Sequence, residues 1–234
     1  MERHETQESG IKSFRLRGKR MTRAQNAALI RSWGRFGIKF GTSIDLDNLF
    51  PDAKEVIVEI GFGMGDATAE IAKAHPENGY IAIEVHPPGI GKMLSLIEEH
   101  ELTNVYIIEG DAIEILQTMF ADHCINGFHL FFPDPWPKLK HNKRRIVNAE
   151  FLALIHQKLK SGGYIKIATD WVPYAEWIRD AFSASVDFIG GEVARPDWRP
   201  YTKFEGKGLA KDHRVSDFHY VAKKLDWTDE EFWE

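Results

Sequence analysis

The run Val56-Ile57-Val58-Glu59-Ile60 passes directly into Gly61-Phe62-Gly63-Met64-Gly65-Asp66, and this junction limits the folds open to the chain more than any other stretch. A β-branched segment without strict apolar–polar alternation suits a strand buried on both faces, as in parallel sheets covered by helices. Glycines at alternate positions let the backbone turn sharply and approach a ligand with no Cβ in the way. Residues 66–73 then carry helical spacing. The junction therefore reads as strand, glycine loop, helix.

The same unit recurs. Further strands are predicted over 80–84, 105–108, 127–132 and 164–168, with helices over 93–99, 113–120, 148–159 and 171–182. Ser161-Gly162-Gly163 reads as a helix stop followed by a turn, and 213–224 alternates enough for a last antiparallel strand. Strands and helices in this rhythm imply an α/β fold with a mostly parallel sheet and helices on both faces, whose ligands bind at the carboxyl ends of the strands. A length of 234 residues holds one large domain. The expected organisation is a basic, partly flexible arm over 1–50 with a short helix near 22–33, a domain over 51–225, and an acidic tail over 226–234.

Several function classes drop out. The longest apolar runs are far below the ~20 residues needed to cross a bilayer, and no secretory signal opens the chain. A single cysteine, Cys124, leaves neither an intramolecular disulfide nor a Cys-rich zinc site, and the ten histidines show no metal-ligand spacing. A cytoplasmic, metal-independent protein is the expectation. Net charge is −5, yet Lys12, Arg15, Arg17, Lys19, Arg20, Arg23, Arg31, Arg35 and Lys39 form a stretch with no acid among them. A second such cluster holds Lys138, Lys140, Lys143, Arg144 and Arg145. Charge segregated in this way can give a basic face on an acidic protein.

Four acids fall at successive strand ends or just beyond them: Glu59, Glu84, Asp111 and Asp134. Dinucleotide folds use GxGxxG with the pyrophosphate on the helix N-terminus. Here the spacing is GxGxG, at Gly61, Gly63 and Gly65, and Glu59 precedes it. A carboxylate beside the loop repels a pyrophosphate but suits a ligand carrying an amino group and a sulfonium. Glu84 is placed to accept from both hydroxyls of a ribose, and Asp111 from an adenine amino group. This constellation resembles the class I methyltransferases. The resemblance implies S-adenosylmethionine as cofactor, with S-adenosylhomocysteine as product, and a Rossmann-like, seven-stranded sheet.

Phe131-Phe132-Pro133-Asp134-Pro135-Trp136-Pro137-Lys138 follows the fourth strand, and its prolines hold it extended. An acid and an indole displayed there suit a base-binding platform. PDPWPK followed by Lys140-His141-Asn142-Lys143-Arg144-Arg145 resembles the signature of the bacterial tRNA (guanine-N7-)-methyltransferase family. The likeness runs over about 55–224, through Ile83-Glu84-Val85-His86, Thr169-Asp170 and Thr202-Lys203-Phe204-Glu205. It implies cofactor contacts at Glu59, Glu84, Asp111 and Asp134, and substrate contacts at Lys138, Asp170, Thr202, Lys203, Phe204 and Glu205. It also implies RNA binding over 140–145 and the guanosine at tRNA position 46 as target, by a monomer or homodimer without a membrane partner. Asp170 and Glu205 are then placed to meet the guanine edge, whereas Trp171, Tyr174 and Trp177 read as helix packing.

The chemistry needs few reactive groups. Guanine N7 carries a lone pair and no proton, so no general base is required, and Asp134 is expected to orient the guanine and offset the positive charge that develops on it. Three rivals have distinct signatures. An exocyclic-amine methyltransferase has (D/N)PP(Y/W), which Asp134-Pro135-Trp136 approaches without matching. A nicotinamide oxidoreductase conflicts with GxGxG and Glu59. A non-catalytic RNA-binding protein has no use for acids ranged around a glycine loop.

Overall fold

In the computed structural model, residues 12–14, 18, 20–201, 205 and 214–223 are described. Arg15, Arg17, Lys19, Thr202, Lys203, Phe204 and the tail 226–234 lie outside the described residues.

The elements in order are α1 (Arg23–Phe36), β1 (Gly37–Ile38), α2 (Leu46–Leu49), β2 (Val56–Ile60), α3 (Asp66–Ala74), β3 (Gly79–Glu84), α4 (Pro87–Glu99), β4 (Val105–Glu109), α5 (Ala112–Met119) and β5 (Ile125–Phe131). A 3-10 helix (Leu139–Arg144), α6 (Ala149–Lys158), β6 (Leu159–Thr169), α7 (Val172–Ser183), β7 (Phe188–Val193) and β8 (Ser216–Ala222) complete them. One sheet runs β1-β4-β3-β2-β5-β6-β8-β7. It is parallel from β1 to β6, and β8 pairs antiparallel with both β6 and β7. The chain leaves β2 toward β3 on one side and returns to β5 on the other, so the crevice between β2 and β5 is the topological switch point where such sheets bind ligands.

Burial follows the strand period. Val58, Ile60, Ile81, Ile83, Phe128, Leu130, Ile165 and Ile167 belong to one core with residues of α5, α6 and α7. Ile57, Tyr80, Ala82 and Ile107 belong to the other, with α1, α3 and α4. Sequestering each large apolar side chain contributes ~1.5–3 kcal/mol.

The structure adds to the sequence reading in three places. A two-residue β1 pairs Gly37 and Ile38 with Ile107 and Ile108, making an eighth strand too short to leave a periodic signal. Residues 23–50, grouped with the basic arm by composition, pack onto the sheet domain. Thr22 caps α1 in a reciprocal box with Gln25, Gln25 Nε2 donates to the Pro88 carbonyl at 3.0 Å, and Arg31 pairs with Glu98 at 2.6 Å. Ser161-Gly162-Gly163, read as a turn, lies inside β6. The helix stop is real, since α6 ends at Lys158, but the glycines form an irregularity where pairing jumps from Ile125↔Leu159 to Gly127↔Tyr164.

Candidate active site

The carboxyl ends of β2, β3 and β5 surround a cavity of about 370 Å³, within the range of small-molecule sites. Its lining includes Glu59–Ala67, Ile83–His86, Gly110, Ala112 and 130–134. Gly61 and Gly63 adopt φ of +73° and +63°, which side chains rarely tolerate, and an added Cβ at either would meet nothing within 4 Å. The loop is thus an open cradle bordered by backbone. Gly89 holds it from behind: a Cβ there would stand 2.0 Å from the Gly63 carbonyl oxygen. Gly91, half a turn further on, lets α4 approach α1, where a Cβ would stand 2.8 Å from the Gln25 Cβ. Pro87-Pro88-Gly89-Ile90-Gly91 is therefore a packing device, which the sequence alone did not disclose.

Glu59, next to last in β2, is 4% exposed, and its Oε2 has no hydrogen-bond partner. Burial pushes its carboxyl up to about 7 against an opposing pull from the Thr68 side chain, and the charge of Glu84 adds to the rise. Glu84 is fixed by three backbone amides: Gly63 N–H donates to Oε2 at 2.8 Å, and Val85 and His86 N–H to Oε1 at 2.7 and 3.1 Å. Burial raises its pKa, against the opposing pull of those amides. These three amides fix the orientation of the carboxylate at the end of β3. Asp111 caps α5 by accepting from the Ile113 amide at 3.0 Å. Its neighbours Gly110 and Ala112 line the cavity. His86 also lines it, with a buried Nδ1 that has no partner. Two orphaned polar atoms beside an open glycine cradle fit an elongated ligand with an amino group and a nucleoside.

Asp134 lines the cavity from the loop after β5. The flanking aromatics carry strain that the prolines did not foretell: Phe132 has φ +53° and Trp136 +44°. Phe132 is held by its N–H donating to the Ala168 carbonyl at 2.8 Å. Trp136, expected as a base platform, is engaged within the protein. Its Nε1 donates to the Ser13 carbonyl at 2.9 Å, and the Arg144 guanidinium lies 5.0 Å from its ring centre. Ser13 and Phe14 in turn line the cavity, so the arm reaches the site.

The basic run divides by direction. Lys138, Lys140 and Lys143 are exposed on and beside the 3-10 helix, and His141, Asn142 and Arg144 are half-buried. His141 is held below the ordinary histidine range by burial and by the charges of Lys140, Arg144 and Lys138. Arg145 departs from the phosphate-gripping expectation. It is 4% exposed, donates to the Pro135 and Pro173 carbonyls at 2.9 and 3.4 Å, and packs over Tyr174 and Trp177. Asp170 follows the end of β6 beside β5. Glu205 is 1% exposed and paired with Arg195 and Arg199. That geometry differs from the expectation that it meets a guanine edge.

Fold and cavity together define a class I methyltransferase. Among solved structures, the 16S rRNA methyltransferase KamB aligns with TM-score 0.56 at 13% identity, covering 76% of this chain and 93% of that one. The aminoglycoside resistance methyltransferase NpmB1 aligns at 0.53 and 15%, covering 76% and 91%. Residues 53–218 match the family described as "Putative methyltransferase". The tRNA (guanine-N7-)-methyltransferase of Nitrosospira multiformis is 45% identical over 92% of this chain and 95% of its own length. That of Neisseria meningitidis serogroup A is 47% identical over 92% and 91%, and that of Streptomyces avermitilis 44% over 90% and 74%. The chain belongs to the tRNA (guanine-N7-)-methyltransferase family.

Proposed function

We propose that this chain transfers a methyl group from S-adenosylmethionine to N7 of guanosine 46 in the variable loop of tRNA. The observation that carries the cofactor assignment is the unpartnered Oε2 of Glu59 in a cavity bordered by a glycine cradle. Relatives of about 45% identity along nearly the whole chain extend it to tRNA and to N7.

Glu59 would take the cofactor's amino group, the cradle its chain, Glu84 a ribose hydroxyl, and the Gly110–Ala112 turn its base. When bound, S-adenosylmethionine supplies an electrophilic methyl carbon on a sulfonium, open to in-line displacement. The residues of this chain then have two tasks, positioning and charge compensation. Asp134 orients the guanine and offsets the positive charge that spreads over the purine. N7 bears no proton, so Asp134 removes none. Lys138, Lys140 and Lys143 face outward to meet tRNA phosphates.

The test uses unmodified tRNA transcripts with guanosine or adenosine at position 46. Methylation of the first alone supports the assignment, and equal methylation of both refutes position 46. Replacing Asp134 by Asn should lower kcat by ~10²-fold, in the range seen when one preorganised electrostatic group is lost. Full turnover by that variant at every pH would remove Asp134 from the mechanism.

A further inference from the structure

His129 is a buried imidazole that the proposed methyl transfer does not use. In the sheet Glu59 stands in register with Ala82 of β3 on one side and with His129 of β5 on the other, and His129 with Lys166 of β6. Paired residues of adjacent strands share a face, so Glu59, His129 and Lys166 form one row across the switch point. His129 is 2% exposed, and both of its ring nitrogens lack a hydrogen-bond partner. Trp198 stacks on the imidazole at 5.3 Å between ring centres, and Phe131 lies at 4.9 Å. Thr68 of α3 approaches Glu59 from the helix side without closing a hydrogen bond, and its buried Oγ1 is orphaned too. Unsatisfied polar atoms on three side chains thus surround a carboxylate that forms part of the cofactor cavity.

A buried donor or acceptor left without a partner costs free energy, so adjoining orphans point to one another. Burial pushes the His129 imidazolium down to about 3, and the charges of Lys166 and His75 act in the same direction. The ring is therefore neutral at working pH, with one N–H to donate and one lone pair to offer. Its two in-register neighbours sort these groups. Lys166, whose Nζ lies 4.4 Å from the ring centres of both Tyr164 and Trp198, can as a cation only donate. Glu59 Oε2 is an acceptor without a donor. The row thus runs cation, neutral imidazole, carboxylate, and the acceptor for the imidazole N–H stands at Glu59. The titratable groups that face the pair are Glu84 and Tyr80 from β3, His75 from the end of α3 and Lys166 from β6.

We infer that His129 is a positioning residue for the cofactor: its neutral ring supplies Glu59 Oε2 with a hydrogen bond, directly or through one bridging water, and holds the carboxylate toward the cofactor's amino group. The inference rests on the proposed role of Glu59 in binding S-adenosylmethionine. A hydrogen bond to the charged form favours it, so His129 works against the rise that burial and Glu84 impose on the Glu59 carboxyl.

The experiment follows the Glu59 carboxyl carbon by NMR across pH in the full-length, ligand-free protein, with the signal assigned by its loss in Glu59→Gln. The wild-type midpoint should lie near 7. His129→Leu should raise it by about one pH unit or more, as expected when a hydrogen bond to a charged group is lost. His129→Gln, whose amide can donate, should restore at least half of that change. S-adenosylhomocysteine should bind His129→Leu about fivefold more weakly at pH 7, with the gap closing by pH 9 as Glu59 ionises in both proteins. An unchanged midpoint in His129→Leu overturns the inference. A lowered midpoint means that the imidazole accepts from the protonated acid, and overturns it equally. A loss of affinity that is the same at both pH values, or a glutamine variant no better than leucine, means packing alone and also overturns it. Should His129→Leu fail to fold, NMR of the nitrogen-labelled wild-type imidazole takes its place. The protonated nitrogen should then shift as Glu59 titrates, and two nitrogens indifferent to that titration contradict the inference. If wild-type affinity for S-adenosylhomocysteine does not vary with pH, the ammonium-binding role of Glu59 fails, and the carboxyl midpoints alone decide whether His129 donates to it.

Discussion

Glu59 is a carboxylic acid near neutrality, because burial has lifted it to about 7, and this makes its role measurable. Between the ordinary glutamate value and about 7 the folded protein keeps a proton that the unfolded chain has lost. The resulting stabilisation is complete below the unfolded value and disappears as pH rises through about 7. Above that, a buried charge is carried at a cost on the order of 3 kcal/mol. A ligand ammonium compensates the same charge. Affinity for S-adenosylhomocysteine, followed by calorimetry, should therefore strengthen about tenfold per pH unit up to about 7 and then level off. Glu59→Gln should bind weakly with no such slope, and a slope retained in that variant would remove Glu59 from the ammonium. Without ligand, Glu59→Gln should melt several degrees above wild type at pH 8, with the gap closing near pH 5. The acid was legible in the sequence as a type and a position. Its unpartnered oxygen and its neighbour's three amide bonds were not, since they depend on how the loop after β2 meets the end of β3.

At the level of elements, the loop from Phe131 to the 3-10 helix displays outward lysines on a base that Arg145 holds from within. The salt dependence of tRNA binding separates the two roles. Each phosphate contact contributes about 0.9 to the slope of log affinity against log salt for duplex. Removing the charges of Lys138, Lys140 and Lys143 together should lower that slope by about 2–3. Arg145→Lys should leave the slope unchanged and cost ~1–3 kcal/mol of stability by unmaking carbonyl hydrogen bonds. A basic hexamer reads uniformly in sequence, and only packing against Tyr174 and Trp177 shows which member points inward. The α4 glycines behave alike. Gly89→Ala would press on the Gly63 carbonyl, so it should weaken cofactor binding at least tenfold without touching the ligand, with far-UV circular dichroism unchanged. Normal affinity in that variant would mean that the loop relaxes freely.

For the molecule as a whole, alternation of buried strands and helices was sufficient to predict the parallel sheet and the end of it at which ligands bind. The edges were less legible. β1 has two residues, β7 contains Gly190 and Gly191, and α1 buries only Ala28, Ser32 and Phe36, so none carries a strong period. The antiparallel β8 matters beyond the sheet, because its Asp217 accepts from the buried Arg199, whose guanidinium lies 5.5 Å from the Phe132 ring centre. The cavity, the strained loop after β5 and the outward lysines that follow it thus gather at the carboxyl ends of the parallel strands. Methyl transfer to guanine N7 of tRNA is tested most directly by incubating the protein with labelled S-adenosylmethionine and unmodified tRNA, then identifying the labelled nucleoside by mass spectrometry. The account predicts label in 7-methylguanosine, and none when Glu59 is replaced by Gln at low cofactor concentration. Label in a nucleoside methylated on an exocyclic amine, or no label in tRNA despite cofactor binding, would contradict it.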